Sequence, residues 1–184
     1  MRIVAGEFRS RRLVCPRGQT TRPSSDRFRE SLFGALGGLD GVRCLDLFAG
    51  TGALGREALS RGAATCTFGE LDRAAVEALR TNIATLAVEA RVRLVVGDFR
   101  RLLRADAAAG TRYDLLLVDP PYRMLREFHP ALERSFAGLA APGCRLVVEA
   151  GAREEPSFDG FAVVSRRRVG AATLSIMIRT EELH

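Results

Sequence analysis

The chain has 184 residues, 47% of them hydrophobic, and a net charge of +6 from 28 basic side chains against 22 acids. Every basic side chain is Arg. The absence of Lys excludes Schiff-base nucleophiles, pyridoxal anchoring and a complete phosphate-binding P-loop, each of which needs an ammonium group on a flexible stem. Two histidines, His129 and His184, and four cysteines without a CxxC pair, Cys15, Cys44, Cys66 and Cys144, form no zinc ligand pattern, so no metal is expected. No run of about 18 apolar residues exists and no signal-peptide pattern opens the chain, so no membrane association is expected. Three of the four Cys sit in apolar runs, which fits reduced thiols and the cytoplasm. The charge is uneven: residues 1–29 hold eight Arg against Glu7 and Asp26, whereas residues 30–184 hold twenty Arg against twenty acids.

Residues 2–15 read as two short basic strands, beginning at Arg2 and Arg12, around a turn near Glu7 to Ser10. After a connector from Pro16 to Pro23, Ser24 or Ser25 is placed to cap a helix over 26–37, where Phe28, Leu32, Phe33 and Leu36 share one stripe. Short apolar runs then alternate with amphipathic stretches. The runs at 42–48, 64–70, 92–96, 113–118 and 144–148 predict parallel strands buried on both faces, and 53–61, 73–86, 99–109 and 125–139 predict the helices between them. Residues 161–169 and 171–179, separated by Gly170, predict an antiparallel hairpin that closes the sheet.

The first strand meets its helix in Leu45-Asp46-Leu47-Phe48-Ala49-Gly50-Thr51-Gly52-Ala53-Leu54-Gly55. Gly50, Gly52 and Gly55 satisfy the dinucleotide fingerprint, which taken alone is a weak signal. Asp46 departs from it. A carboxylate there opposes a pyrophosphate but suits an ammonium group, such as that of S-adenosylmethionine (SAM). Glu70 ends the second strand, where an acid accepts both ribose hydroxyls, and Leu71 follows it. Asp98 follows the third strand, placed to accept an adenine amine while Phe99 covers the ring. Each acid has a plain alternative: Asp98 caps a helix, Glu70 is a solvated loop acid, Asp46 satisfies loop amides. Three acids at three successive strand ends, together with the glycines, favour SAM.

Asp119-Pro120-Pro121-Tyr122 follows the fourth strand. Two prolines make a stiff turn with few donors, leaving a carboxylate and carbonyls as acceptors beside an aromatic plane. If Asp119 and the Pro120 carbonyl accept the two N–H bonds of an exocyclic amine, its nitrogen lone pair can leave conjugation and face a methyl group. Tyr122 would stack on the base. The plain alternative is a Pro-rich turn ending a strand.

These residues resemble a known family. Asp119 to Tyr122 is similar to the motif of SAM-dependent methyltransferases that act on amino groups. Thr21-Arg22-Pro23-Ser24-Ser25-Asp26-Arg27-Phe28 and Leu45 through Gly55, continuing to Ala63, look like the bacterial RsmD family. Its members methylate N2 of a guanine in 16S ribosomal RNA. The resemblance runs from Arg2 to about Glu149 and implies a Rossmann-like α/β class I SAM methyltransferase sheet, mostly parallel with a C-terminal antiparallel hairpin, plus a small N-terminal β-hairpin and helix. It places Asp46, Ala49, Gly50, Gly52, Glu70 and Asp98 at cofactor positions and Asp119, Pro120, Pro121 and Tyr122 in the catalytic loop. Phe48, Thr51, Ala53, Leu71 and Phe99 complete the expected cofactor set. Gly6 stands alone where the family more often has two glycines, and Gly34 stands where Asn is common, which touches RNA contact and leaves the chemistry alone.

The division expected is a basic appendage, 1–38, and a methyltransferase domain, 39–184. Arg2, Arg9, Arg11, Arg12, Arg22, Arg27 and Arg29 are the candidate RNA contacts, since guanidinium forks grip phosphates and stack on bases. Arg166, Arg167 and Arg168 are placed to extend the patch, although alternation points one of them to the other face. Either Arg27 pairs with Glu30, or Asp26 and Arg29 orient the arm over the cofactor cleft. The implied partner is 16S rRNA, in a small-subunit particle or assembly intermediate, with the enzyme a cytoplasmic monomer. The competing readings are amino methylation of another base, adenine N6 above all, an NAD(P)-dependent oxidoreductase on the three glycines, and a silent RNA-binding module.

Overall fold

Alternating apolar runs and amphipathic stretches become a seven-stranded sheet with helices on both faces, in a computed structural model that describes residues 1–15, 26–121, 124–170 and 172–180. In chain order the elements are α1 Asp26–Leu36, β1 Arg43–Leu47, α2 Ala53–Ser60, β2 Thr65–Glu70, α3 Arg73–Leu86, β3 Val92–Val96, α4 Phe99–Ala108, β4 Tyr113–Val118, α5 Leu125–Leu139, β5 Ala140–Gly151, β6 Phe161–Val169 and β7 Ala172–Arg179. The sheet order is β3-β2-β1-β4-β5-β7-β6. β1 to β5 are parallel, and β7 runs antiparallel between β5 and β6.

Local chemistry sets several boundaries. Asp72 caps α3 by accepting the Ala75 N–H at 2.8 Å, and α3 ends at Ala87 in the left-handed region. One face of the sheet packs α1, α2 and α3 through Phe33, Leu59 and Leu79 against Cys44, Phe68 and Leu117. The other packs α4 and α5 through Leu103, Leu132 and Phe136 against Leu45, Leu116 and Val148. β3 corrects one expectation: it is a sheet edge, so its residues are half-buried or exposed where burial on both faces was expected. β5 is also longer than 144–148, because β7 extends its pairing to Gly151.

The N-terminal segment corrects another. Its two expected strands reduce to one antiparallel bridge, Arg2 with Arg12, supported by Ser10 N–H to the Ile3 carbonyl at 2.9 Å and Leu13 N–H to the Met1 carbonyl at 2.8 Å. The segment spends its other backbone groups on α2. Glu57 accepts the Val4 and Ala5 N–H groups at 2.8 and 3.0 Å, Ser60 Oγ accepts the Phe8 N–H at 2.9 Å, and the Ser60 hydroxyl donates to the Ala5 carbonyl at 2.5 Å. Gly6 (φ +83°) is required there, since a Cβ would lie 1.8 Å from the Ser60 carbonyl oxygen. Ile3 and Leu13 join the same core cluster as Leu59 and Leu117. The basic segment thus shares this hydrophobic cluster. No helix among the described residues is long and apolar enough to cross a membrane.

Candidate active site

Strand order reverses at β1, which has β2 on one side and β4 on the other, and ligands of open α/β sheets lie outside the carboxyl ends of the strands at such a point. The glycine loop leaves β1 there and Asp119 follows β4. Phe48 (φ +61°), Gly50 (φ +55°) and Gly52 (φ +77°) take left-handed conformations in quick succession. A non-glycine residue held there, as Phe48 is, stores strain of about 1–3 kcal/mol, a cost found at ligand sites. A Cβ built on Gly50 meets nothing within 4 Å, whereas one on Gly52 would lie 2.3 Å from Leu79 Cδ1. The first glycine opens space for a ligand and the second lets α2 begin against α3.

Gly55 does neither. Its Cβ would lie 2.4 Å from Phe68 Cε1 and 2.6 Å from Cys66 Sγ, so it sets the approach of α2 to β2. Gly55→Ala is expected to destabilise the protein by about 2 kcal/mol, the usual cost of overpacking. Urea unfolding reads this, and an unchanged midpoint would remove the packing role.

The three strand-end acids have distinct partners. Glu70 accepts the Gly50 N–H at 2.6 Å through Oε2 and the Leu71 and Asp72 N–H groups at 2.7 and 2.8 Å through Oε1, so it clasps the end of β2 to the glycine loop. Asp46 is only 1% exposed and accepts the Gly55 N–H at 2.9 Å. Asp46 thus braces the loop from beneath. Burial pushes its carboxyl up to about 7, with Glu70 adding and the Gly55 N–H and Arg56 opposing. Asp98 caps α4, accepting the Arg100 N–H at 2.7 Å and pairing with its guanidinium at 3.2 Å, which realises the alternative of a helix cap.

Phe99 is 6% exposed; its centroid is 5.1 Å from Phe48 and 4.9 Å from Phe128, forming a floor with Arg100 above it. Exposed apolar surface at the strand ends comes instead from Leu71, 71% exposed, and Val96. Ala49, Thr51 and Ala53 lie half-buried along the loop.

Asp119 is half-buried and Pro120 buried; Pro121 is exposed, and its carbonyl accepts the Met124 N–H at 2.8 Å. Burial, then the negative charges of Glu149 and Asp46, hold the Asp119 carboxyl well above the usual carboxylate range. Val118 pairs with Val148 in register, so the next residues, Asp119 and Glu149, stand side by side at the ends of adjacent parallel strands. Tyr122 and Arg22 lie outside the described residues.

Of the candidate RNA contacts, Arg29 is corrected. It is 0% exposed, donating to the Arg2 carbonyl at 2.6 Å and to Asp26 at 2.7 Å. Asp26 also binds Arg2 at 2.8 Å, so Asp26 and Arg29 tie Arg2 to α1. Arg9, Arg11, Arg12 and Arg27 are exposed and, among the described residues, in no ion pair. On β6, Arg166 is tied to Ser175, Glu155 and the Pro156 carbonyl, while Arg167 and Arg168 are exposed.

Four residues missed in the sequence hold this region together. Glu57 and Ser60 grip the N-terminal backbone, and their only signal was their i, i+3 spacing on α2. Buried Arg56 donates to the Gly52 carbonyl at 3.0 Å and to the Thr51 carbonyl, and Asn82 reaches the latter at 3.4 Å; neither residue type announces itself on a helix.

An Asp-Pro-Pro turn beside a glycine crossover with acids at successive strand ends, at the switch point of this sheet, goes with the class of SAM-dependent methyltransferases of class I fold. The family model described as "Conserved hypothetical protein 95" matches residues 1–178, and the chain belongs to that family. The curated "Ribosomal RNA small subunit methyltransferase D" of Escherichia coli K12 is 44% identical over 124 residues, which are 67% of this chain and 61% of that relative. The match thus spans less than two thirds of the relative's length. A solved Escherichia coli structure, described only provisionally as a methyltransferase, is 35% identical with a TM-score of 0.85, covering 98% of both chains. A more distant chain of the same fold, 14% identical with a TM-score of 0.70 and covering 83% of this chain and 48% of that one, was solved complexed with SAH.

Proposed function

We propose that the chain transfers a methyl group from SAM to the exocyclic N2 amine of a guanine in small-subunit ribosomal RNA, as a cytoplasmic monomer acting on a small-subunit particle or assembly intermediate. The name of the Escherichia coli relative supports the substrate class. The observation that carries the choice of base is that Asp119 and Glu149 follow the in-register pair Val118 and Val148 at adjacent strand ends beside the glycine loop, close enough for the charge of Glu149 to raise the Asp119 carboxyl. Guanine presents its N2 amine next to N1–H, two adjacent donors, whereas adenine and cytosine present an amine next to an acceptor nitrogen. Two neighbouring carboxylates complement the former and leave an acceptor facing an acceptor in the latter.

The residues fit the cofactor. The open side of Gly50 gives room for close approach, Glu70 stands at the end of β2 within reach of ribose hydroxyls, Leu71 offers an apolar surface to adenine, and buried Asp46 puts negative charge under the loop. SAM supplies an electrophilic methyl group on a sulfonium sulfur. Asp119 and the Pro120 carbonyl accept the two amine hydrogens and turn the nitrogen lone pair toward that methyl. As the nitrogen–carbon bond forms and the carbon–sulfur bond breaks, positive charge passes to the amine, and Asp119 holds the departing proton.

The exposed Arg9, Arg11 and Arg12 supply the RNA grip. Replacing Arg9, Arg11 and Arg12 together with Gln is expected to weaken RNA binding and lower its log–log salt slope by about 2–3. An unchanged slope would reduce the segment to a solubility feature. The function itself is tested by mass mapping of methylated nucleotides after incubation with labelled SAM and small-subunit particles; a modified adenine, or none, would overturn it.

A further inference from the structure

We propose that Asn82 is a positioning residue that couples the N-terminal RNA-holding segment to the cofactor loop, so that each ligand binds more tightly when the other is present. The inference rests on the RNA reading of that segment. Asn82 lies on α3, 1% exposed, and its side-chain amide meets two stretches of chain distant in sequence. Its Oδ1 accepts the Val14 N–H at 2.7 Å and its Nδ2 donates to the Val14 carbonyl at 3.0 Å, the two-point pairing that a neighbouring strand would give. The second Nδ2 hydrogen points to the Thr51 carbonyl, 3.4 Å away, between Gly50 and Gly52. One primary amide is thus divided between the place where the basic segment leaves Val14 and the loop that faces the cofactor.

The rest of the segment is held by other groups. Glu57 and Ser60 fix residues 4–8 to α2, and Asp26 with Arg29 fixes Arg2. Asn82 therefore governs the stretch just before residue 16, and its loss leaves those contacts in place. Arg56 donates to the same Thr51 carbonyl, so that oxygen has two donors and a defined direction. A cofactor that orders the glycine loop fixes this carbonyl and hence the Asn82 amide, and Val14 is ordered without further cost. RNA that orders the segment works back along the same bonds, as thermodynamic reciprocity requires.

The test measures the affinity of the wild-type protein and of Asn82→Leu for small-subunit particles lacking the methyl group, with and without saturating S-adenosylhomocysteine. Wild-type protein should bind particles about tenfold more tightly with the nucleoside present, within the usual range of coupling between sites. In Asn82→Leu the ratio should fall to about one, with nucleoside-free particle affinity kept within about twofold. A variant that keeps the tenfold ratio overturns the coupling and leaves the RNA reading standing. Wild-type protein that binds no particle overturns the RNA reading, and this inference with it. Should Asn82→Leu not fold, hydrogen exchange on the wild-type protein decides: S-adenosylhomocysteine alone should slow exchange of the Val14 amide at least fivefold, and an unchanged rate overturns the proposal.

Discussion

Asp119→Ala is expected to lower the rate of methyl transfer about 1000-fold while cofactor affinity stays within about twofold of wild type. The size is that of removing one well-placed hydrogen-bonding group that acts at the transition state. The split follows from position: Asp119 follows β4, while the loop, Glu70 and Asp46 on the proposed cofactor side belong to β1 and β2. A pH profile gives the same residue a second readout. The carboxylate is the stronger acceptor of an amine hydrogen and can take the departing proton, and the carboxyl is raised by burial and by the charges of Glu149 and Asp46. Turnover therefore rises with pH through that raised value, since the protonated form below it cannot take that proton. Single-turnover rates from pH 5 to 9 with calorimetric SAM affinities check both parts; loss of cofactor binding in Asp119→Ala would end the assignment to the amine.

Asp46→Asn is expected to stabilise the fold above neutral pH and to impair the enzyme. The native carboxyl titrates at about 7 against an ordinary 3.8, so the folded state holds its proton more tightly than the unfolded chain. Its contribution is therefore complete below about pH 4 and is lost as pH rises through 7. At about 1.4 kcal/mol per unit, the loss approaches about 4 kcal/mol by pH 8. Asparagine keeps an acceptor for the Gly55 N–H and carries no charge, so the variant should be more stable at pH 8 by up to that amount, less what its own N–H groups lose by burial. With the charge gone, SAM binding should weaken about tenfold, the order of one partly screened charge pair. Urea midpoints at pH 5 and 8 for both proteins test this: a constant difference between them would show that Asp46 does not titrate in this range.

Periodicity and capping chemistry made most of the fold legible. The bounds of α3 and α5 agree with 73–86 and 125–139, and β3 and β4 with 92–96 and 113–118, because local pattern dominates there. Asp119 beside the glycine crossover was legible too, since parallel α/β topology brings those two strand ends together. What was hidden is which polar groups turn inward. Asp46, Arg29 and Arg56 look solvent-facing in composition, yet each is buried by contacts that close only when the N-terminal segment and α2 pack on the sheet. Phe99 is hidden for a related reason: its partner Phe128 lies 29 residues on, and no local pattern says that the two rings meet.

The place of β7 bears on how the chain is made. It follows β6 in sequence yet lies between β6 and β5, so β6 has no strand to pair with until residues 172–179 have been synthesised. Until then the inner edge of β5, with Leu146 and Val148, stays open as a pairing template while the parallel strands before it can already assemble on their helices. A nascent chain of this protein passes through a stage in which its half-closed sheet is open to other strands, and the speed with which the final hairpin docks sets how long that exposure lasts.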